Sequence, residues 1–487
     1  MSLIRLQITD NHRGKEIAEC WANKEQSFSE KDLSAVKKNI EQISNKKIQD
    51  LVSENKKLLV FPLNLNQHGD KIGEDHILSL YGDKISTGNI MGFVGVRNDG
   101  CDTQLDIKSR FESGGKDYFL HYILQKVFAI NLFKWEHDTT QEQIFDFLLY
   151  LFPYYLKKAL AQGVFKKYCR FEYNDANIRG PIDVNRHIRQ NIPFKGTVAY
   201  SAREHTYDNE VTQLVRHTIE YIRTKEQGSA ILNIDSDTKD GVNQIVMATQ
   251  SYNARERQCV INQNLRPVRH PYFSAYTELQ TICLQILRHE ELKYGTDDSQ
   301  IYGILFDGAW LWEEYLNAIF EENNLGITHA KNKTGDNGIS LFKNGKKCYY
   351  PDFYKFVEGD KEKSFVLDAK YKRLGYDINP NEQEYLKSNK ISICREDLFQ
   401  MITYMHVLPA AHCALLYPIE PNEASQTAET IVSDSRELAG SGGEIFGYGI
   451  KISAKDKMSD FWSEMKIMEK NFSKKITEFK NSMVKQN

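Results

Sequence analysis

Two short β-prone runs joined by a turn place acidic side chains where this chain folds back on itself. Residues 349–357 are aromatic and β-branched, residues 358–361 have turn composition, and residues 364–371 resume as a strand. The pattern predicts a β-hairpin. Its first run contains Pro-Asp, ending at Asp352, and its second contains Asp-Ala-Lys, beginning at Asp368.

The predicted hairpin brings two carboxylates and one amine together. Residues two apart on a strand share a face, so Asp368 and Lys370 point the same way, and strand pairing can bring Asp352 beside them. Two hard oxygen ligands suit Mg²⁺ or Mn²⁺, and a nearby lysine can orient or deprotonate water. The pattern is typical of metal-dependent phosphodiester hydrolysis. The alternative is a solvated strand face with alternating charge.

Helical patterns flank the hairpin on both sides. Residues 306–320 have an apolar stripe at helical spacing, and Glu313 falls at its margin, where it could be a third acid and metal ligand or a snorkelling surface residue. Residues 397–404 predict a second helix with Gln400 and Tyr404 on one face, where they could bond a phosphate or a metal-bound water, although the spacing by itself favours an amphipathic core helix. A strand at 414–417 follows. This order predicts a connected α/β domain.

This constellation resembles the PD-(D/E)xK nuclease fold and, more narrowly, the McrC family, the nuclease subunit of McrBC-type (including LlaJI-type) modification-dependent restriction systems. The narrower resemblance rests on residues 91–96 with 105–110, on 179–189 and on 207–216. It extends over roughly residues 60–420. Residues 1 to about 55 have no counterpart.

The resemblance implies a role for each matching residue. It makes Asp352, Asp368 and Glu313 metal-binding acids, Lys370 the catalytic lysine, and Gln400 and Tyr404 the polar pair of the following helix. It also implies Mg²⁺-dependent cleavage of modified DNA in antiphage defence. The partner implied is a McrB-like AAA+ GTPase ring that the N-terminal region contacts and stimulates. The sequence contains no G-x-x-x-x-G-K-[ST] loop, so we expect no nucleotide site in this chain.

Two other functions fit parts of the pattern. A non-catalytic adaptor or activator would only hold DNA with the nuclease fold, although the complete set of two acids and a lysine argues against it. A stand-alone repair nuclease would not need the roughly 300 residues that precede the catalytic region.

Charge and cysteine content set the expected environment. The net charge of −3 gives no global attraction to DNA, but residues 331–395 contain fourteen Lys or Arg and nine Asp or Glu, hence 14 − 9 = +5. The eight cysteines are scattered without a CxxC pair, so we expect neither a zinc site nor disulfides. With no apparent signal or membrane segment, a cytoplasmic protein is expected.

We predict a multidomain α/β protein with four segments. They are a helical extension (1–57), a β-rich partner-contacting domain (58–115), a helical middle domain (116–298) and a nuclease domain with a mixed sheet (299–487). The last segment includes a flexible insertion at 420–445 and a C-terminal helix.

Overall fold

The computed structural model describes most of the chain and assigns it to two compact units. The described residues are 2–22, 29–55, 57–63, 65, 72–98, 101–112, 117–128, 141–225, 228–294, 301–330, 339–340, 342, 348–373, 394–420, 436–439 and 443–482. One unit combines Met1–Leu132 with Ser299–Asn487, and the other is Phe133–Asp298.

Strands dominate the N-terminal part of the chain. Its elements are β1 (Ser2–Thr9), β2 (Lys15–Glu16), α1 (Glu30–Ile43), α2 (Ile48–Glu54), β3 (Lys57–Phe61), β4 (Leu78–Tyr81), β5 (Lys84–Thr87), β6 (Ile90–Val96), β7 (Cys101–Lys108) and α3 (Tyr118–Phe128).

The middle of the chain is mainly helical. It contains α4 (Gln141–Leu160), β8 (Lys167–Asp175), α5 (Val184–Asn191), β9 (Val198–Thr206), α6 (Glu210–Arg223), α7 (Gly228–Leu232), α8 (Ser236–Ala248), α9 (Arg257–Gln263) and α10 (Tyr276–Tyr294).

The C-terminal part alternates helices and strands. Its elements are β10 (Ile301–Asp307), α11 (Gly308–Glu322), β11 (Thr328–His329), β12 (Ile339–Ser340), β13 (Cys348–Tyr349), β14 (Phe353–Lys355), β15 (Phe365–Ala369), α12 (Arg395–Val407), β16 (His412–Ile419), β17 (Arg436–Glu437), β18 (Glu444–Lys451) and α13 (Met458–Ser482). The multidomain α/β class predicted from the sequence is confirmed.

A five-stranded sheet forms the core of the N-terminal part, in the order β1-β7-β6-β10-β3. Helices α1 and α2 bury Val36, Ile40, Ile43 and Ile48 against it. Ser29 begins α1 by accepting a hydrogen bond from the Asp32 amide at 3.2 Å. Strand β10 pairs antiparallel with β6 and parallel with β3, although it follows the middle unit in the sequence.

The structure differs from the predicted segments at three places. In the predicted helical extension 1–57, α1 and α2 are present, but residues 2–9 form a strand parallel to β7, because alternating Ile4, Leu6 and Ile8 are buried. In the predicted nuclease segment 299–487, β10 belongs to the N-terminal sheet. In the predicted helical segment 116–298, α3 belongs to the first compact unit.

The middle unit contains two strands that the helical prediction does not include. Strands β8 and β9 pair antiparallel over nine residues each, from Lys167↔Thr206 to Asp175↔Val198. The cause is visible in β8, where Tyr168, Arg170, Glu172 and Asn174 are exposed and alternate with less exposed residues. Asn209 caps the N-terminus of helix α6, and its side chain accepts hydrogen bonds from two following amides.

A six-stranded mixed sheet organises the C-terminal part, in the order β11-β14-β15-β16-β18-β17. Helix α12 packs Met401, Tyr404 and Met405 onto one face beside Val366. On the other face, Phe479 of α13 contacts the ring of Phe365, with centroids 5.5 Å apart. Most of the expected insertion at 420–445 lies outside the described residues. Within the part that the structure describes, no helix has the length and apolarity needed to cross a bilayer.

Candidate active site

The predicted hairpin forms and brings its two carboxylates to one place. Strands β14 and β15 pair antiparallel with Phe353 opposite Leu367, so Asp352, which directly precedes β14, lies beside Asp368. The Asp352 carboxylate accepts a hydrogen bond from the Ala369 amide at 2.7 Å. The side chain of one strand is thereby fixed to the backbone of the other.

Asp368 and Lys370 lie on one face of the strand, as their spacing predicts, and that face is directed towards α12. Asp368 is 1 % exposed and lies on the same face of β15 as Val366, which packs in the α12 core. The Lys370 ammonium contacts the Asp368 carboxylate directly. The Lys370 amide donates to the Leu416 carbonyl at 2.8 Å, so its backbone continues the β15–β16 pairing.

Gln400 and Tyr404 of α12 complete the polar cluster. The side-chain oxygen of Gln400 accepts from the Lys370 ammonium at 2.9 Å, while its amide nitrogen donates to the Tyr404 hydroxyl at 2.9 Å and lies 3.4 Å from Asp368 Oδ1. The Tyr404 hydroxyl donates to the Tyr350 carbonyl at 3.2 Å. These bonds fix the rotamer of the glutamine that contacts the lysine.

The two carboxyl groups disfavour each other's charge. Burial raises the pKa of Asp352 well above its ordinary value, and repulsion from Asp368 and Glu313 raises it further, although Asp352 keeps some solvent exposure. Burial also raises the pKa of Asp368, against the opposing attraction of Lys370. A positive ion between these groups would relieve the repulsion.

Lys370 carries its proton in this arrangement. Burial favours the neutral amine, but the adjacent Asp368 carboxylate outweighs that effect, and the pKa of Lys370 is raised. Of the two roles that the sequence predicts for the lysine, this state favours orienting water over removing a proton from it.

Glu313 lies close enough to influence Asp352 but is bonded to another residue. Its carboxylate is 2.8 Å from Nε2 of His329, and both side chains are largely buried. Among the described residues, no three His, Cys, Asp or Glu side chains form a group that could hold a metal ion. Of the residues that the structure describes, Asp352 and Asp368 are thus the two carboxylates placed to hold a metal here.

Asp397 and Lys372 belong to the same cluster, and sequence reasoning missed them. The Lys372 ammonium lies 2.9 and 3.2 Å from the two carboxylate oxygens of Asp397, which also lies 3.8 Å from the Lys370 nitrogen. Two signals could have found them: Asp397 is three residues before Gln400 on the helix, and Lys372 is two residues after Lys370.

The cluster has the composition of a phosphate-processing site. It joins two repelling carboxylates to a fixed ammonium, with an amide and a hydroxyl as further polar groups. The structure brings five of the predicted residues together, namely Asp352, Asp368, Lys370, Gln400 and Tyr404. Glu313 lies next to this group. The catalytic and metal-binding roles of all six residues remain predictions.

Comparison with known proteins identifies one family. The model of the family described as "McrBC 5-methylcytosine restriction system component" matches residues 85–418, more than two thirds of the chain, including the whole hairpin. No curated protein matches the chain.

Two solved assemblies from Thermococcus gammatolerans are distantly similar. One is a refined half-complex from a tetradecameric assembly of McrB AAA+ hexamers with bound McrC: 15 % identity, 97 % of this chain and 100 % of that chain covered, TM-score 0.43. The other is the McrBC complex: 13 % identity, 66 % and 88 % covered, TM-score 0.29. Similarity this low supports no argument about fold or function. The family model matches more than half of the chain, and this chain therefore belongs to the McrBC 5-methylcytosine restriction system component family.

Proposed function

We propose that this chain is the DNA endonuclease subunit of an McrBC-like restriction complex, hydrolysing DNA phosphodiesters with Mg²⁺ beside a GTP-hydrolysing AAA+ ring of the McrB type. The observation that supports this most is the convergence of Asp352, Asp368 and Lys370 at the ends of two paired strands. Membership of a restriction-system family supplies the context.

The two carboxylates fit a hard divalent cation in donor type and charge. Mg²⁺ is commonly held by one or two carboxylates, with waters and substrate phosphates as its other ligands, so two protein ligands are sufficient. Burial raises the pKa of both Asp352 and Asp368, and repulsion from Asp368 raises that of Asp352 further; a bound cation would offset these effects. When bound, Mg²⁺ or Mn²⁺ would supply Lewis-acid polarisation of a phosphate oxygen and a more acidic water.

The remaining residues orient charge around the scissile phosphate. Lys370, held by Gln400, presents a fixed ammonium that stabilises negative charge developing on the phosphate. Tyr404 holds Gln400 and thereby limits the directions available to the lysine. Glu313, paired with His329, contributes a nearby negative charge that strengthens cation binding at Asp352.

The partner follows from the McrC resemblance and from what the sequence lacks. Without a phosphate-binding loop motif, nucleotide-driven movement requires a second chain. A McrB-like GTPase ring is the partner that the resemblance implies. DNA containing modified bases is the proposed substrate.

The decisive experiment separates cleavage from GTP hydrolysis. We expect Asp368→Asn and Lys370→Ala to lower cleavage of 5-methylcytosine-containing DNA by about 1000-fold in the complex with the McrB-type ring, because the first removes a charged metal ligand and the second removes the ammonium that stabilises the reacting phosphate. Complex assembly and stimulated GTP hydrolysis should remain at the wild-type level. Asp360→Asn, a partly exposed acid in the hairpin turn, is the matched control.

Two results would contradict the proposal. Cleavage retained by Asp368→Asn would exclude the assigned site. Loss of GTPase stimulation in the same variant would contradict the assignment of cleavage to this chain and of GTP hydrolysis to the ring.

A non-catalytic DNA-holding adaptor is the second candidate. Two observations favour it over a stand-alone repair nuclease: the direct Lys370–Asp368 ion pair, and the lack of a three-ligand metal group among the described residues. An adaptor of this kind, in its wild-type complex, would bind DNA without cutting it in either Mg²⁺ or Mn²⁺.

A further inference from the structure

The residue after the catalytic lysine is buried on the opposite side of the chain. Tyr371 is 3 % exposed, and its hydroxyl lies 2.8 Å from Ser109 Oγ and 3.1 Å from the sulfur of Met91. Ser109 directly follows β7, and Met91 lies in β6. The end of the N-terminal sheet therefore holds the side chain next to Lys370.

Rings and a buried ion pair enclose Tyr371. The Arg110 guanidinium lies 4.9 Å from the centroid of the tyrosine ring, and Phe111 meets that ring edge-on at 5.1 Å. Arg110 is itself fixed by Asp10, with its Nε at 2.9 Å and its Nη2 at 2.6 Å from one carboxylate oxygen. Because this ion pair is buried and bonded several times, the wall around Tyr371 is rigid.

The first residue of α11 closes the remaining side. A Cβ on Gly308 would fall 2.6 Å from a carbon of the Tyr371 ring, closer than two such atoms can approach. Farther along, the Arg373 side chain donates to the Arg110 carbonyl at 2.7 Å. The segment after Lys370 is thus held by two contacts at the end of the N-terminal sheet, one made by Tyr371 and one by Arg373.

We infer that Tyr371 is a positioning residue for Lys370, so that the end of the N-terminal sheet sets where the catalytic ammonium points. This rests on the proposed function. The Lys370 amide is hydrogen-bonded to the Leu416 carbonyl. The Tyr371 side chain points to the side of the backbone where Ser109 lies. Because neighbouring side chains on extended backbone take opposite sides, Lys370 is directed towards Asp368 and α12.

The kinetic test compares two buried tyrosine hydroxyls. Tyr371→Phe should lower kcat for DNA cleavage by the full complex about tenfold with KM within about twofold, because a misdirected group loses transition-state contacts. Tyr122→Phe removes a matched hydroxyl, 2.8 Å from Glu469, and should leave kcat unchanged. Gly308→Ala, which displaces the Tyr371 ring, and the milder Ser109→Ala should reproduce the loss of kcat.

A second readout measures the lysine directly, without metal, partner or activity. In trace labelling with acetic anhydride followed by peptide mass spectrometry, Lys370 should react several-fold faster in Tyr371→Phe and Ser109→Ala than in wild type. Lys475, which is partly exposed on α13, serves as the internal reference.

The outcomes separate this inference from the proposed function. Unchanged Lys370 labelling in Tyr371→Phe would overturn the positioning role, and so would changed labelling with an unchanged kcat. If wild-type complex does not cleave DNA, the proposed function fails, while the labelling result still decides whether Tyr371 orients Lys370.

Discussion

Two buried carboxylate clusters in the same compact unit differ in how their charge is compensated. Glu469 of α13 accepts hydrogen bonds from the Tyr122 and Tyr315 hydroxyls, each at 2.8 Å, and from the Lys126 ammonium at 3.0 Å. One carboxylate thus has three donors, contributed by α3 and α11.

The Asp352–Asp368 cluster has the opposite balance. Its two carboxylates have three described donors between them, the Ala369 amide, the Lys370 ammonium and the Gln400 amide, and burial together with repulsion from Asp368 raises the pKa of Asp352 well above its ordinary value. The comparison teaches that buried charge alone does not mark a functional site. Under-compensated charge is what distinguishes the candidate site from the Glu469 cluster, because a bound ligand can relieve it.

The largest stability effect is expected at the compensated cluster. Glu469→Ala should lower the free energy of unfolding by about 3 kcal/mol, because it leaves two buried hydroxyls and a lysine without their shared acceptor. Urea denaturation measures this. Glu478→Ala, an exposed residue of the same helix, should change it by less than about 0.5 kcal/mol. Equal effects of the two substitutions would remove the distinction between the clusters.

Metal binding at the Asp352–Asp368 cluster should stabilise the folded protein, whereas the Glu469 cluster should bind no metal. At a Mg²⁺ concentration ten times its Kd, the wild-type free energy of unfolding should rise by about 1.4 kcal/mol, since the ion binds the folded state. Thermal unfolding with and without Mg²⁺ checks this. Asp352→Asn should abolish the rise and Glu469→Ala should keep it. The same rise in Asp352→Asn would place the ion elsewhere.

The smallest effect is a gain in stability from removing a charge. Without metal at pH 8, Asp352→Asn should be more stable than wild type by about 1 kcal/mol, because the neutral amide avoids burying an under-compensated charge. Since folding raises the pKa of Asp352, wild type recovers this difference as pH falls through the folded pKa towards 3.8. Denaturation across pH 4–8 tests the sign. An advantage that grows at low pH would refute the assignment.

Local patterns predicted the elements that carry the site. The hairpin and the helices with Glu313 and Gln400 all form, because turn composition and residue spacing act over a few neighbours. The register of the hairpin then brings Asp352 to Asp368 without further information.

Long-range partners were not predictable in the same way. Nothing near Glu313 in the sequence signals His329, and nothing near Lys370 signals that Ser109 will hold the next residue. Such contacts depend on how sheets associate, which a single sequence does not reveal through periodicity. The β8–β9 pair is different, since the alternation of β8 is visible in the sequence although helices surround it.

The position of β10 restricts how this protein can be divided. Because β10 lies between β6 and β3, a fragment beginning at residue 299 would carry a strand with both hydrogen-bonding edges bare, and the remainder would lack an inner strand. Ribosomal synthesis must pass residue 307 before that sheet can close. The region that contains the candidate active site therefore cannot be transferred to another protein by itself, because its strand β10 needs the amino-terminal strands as well.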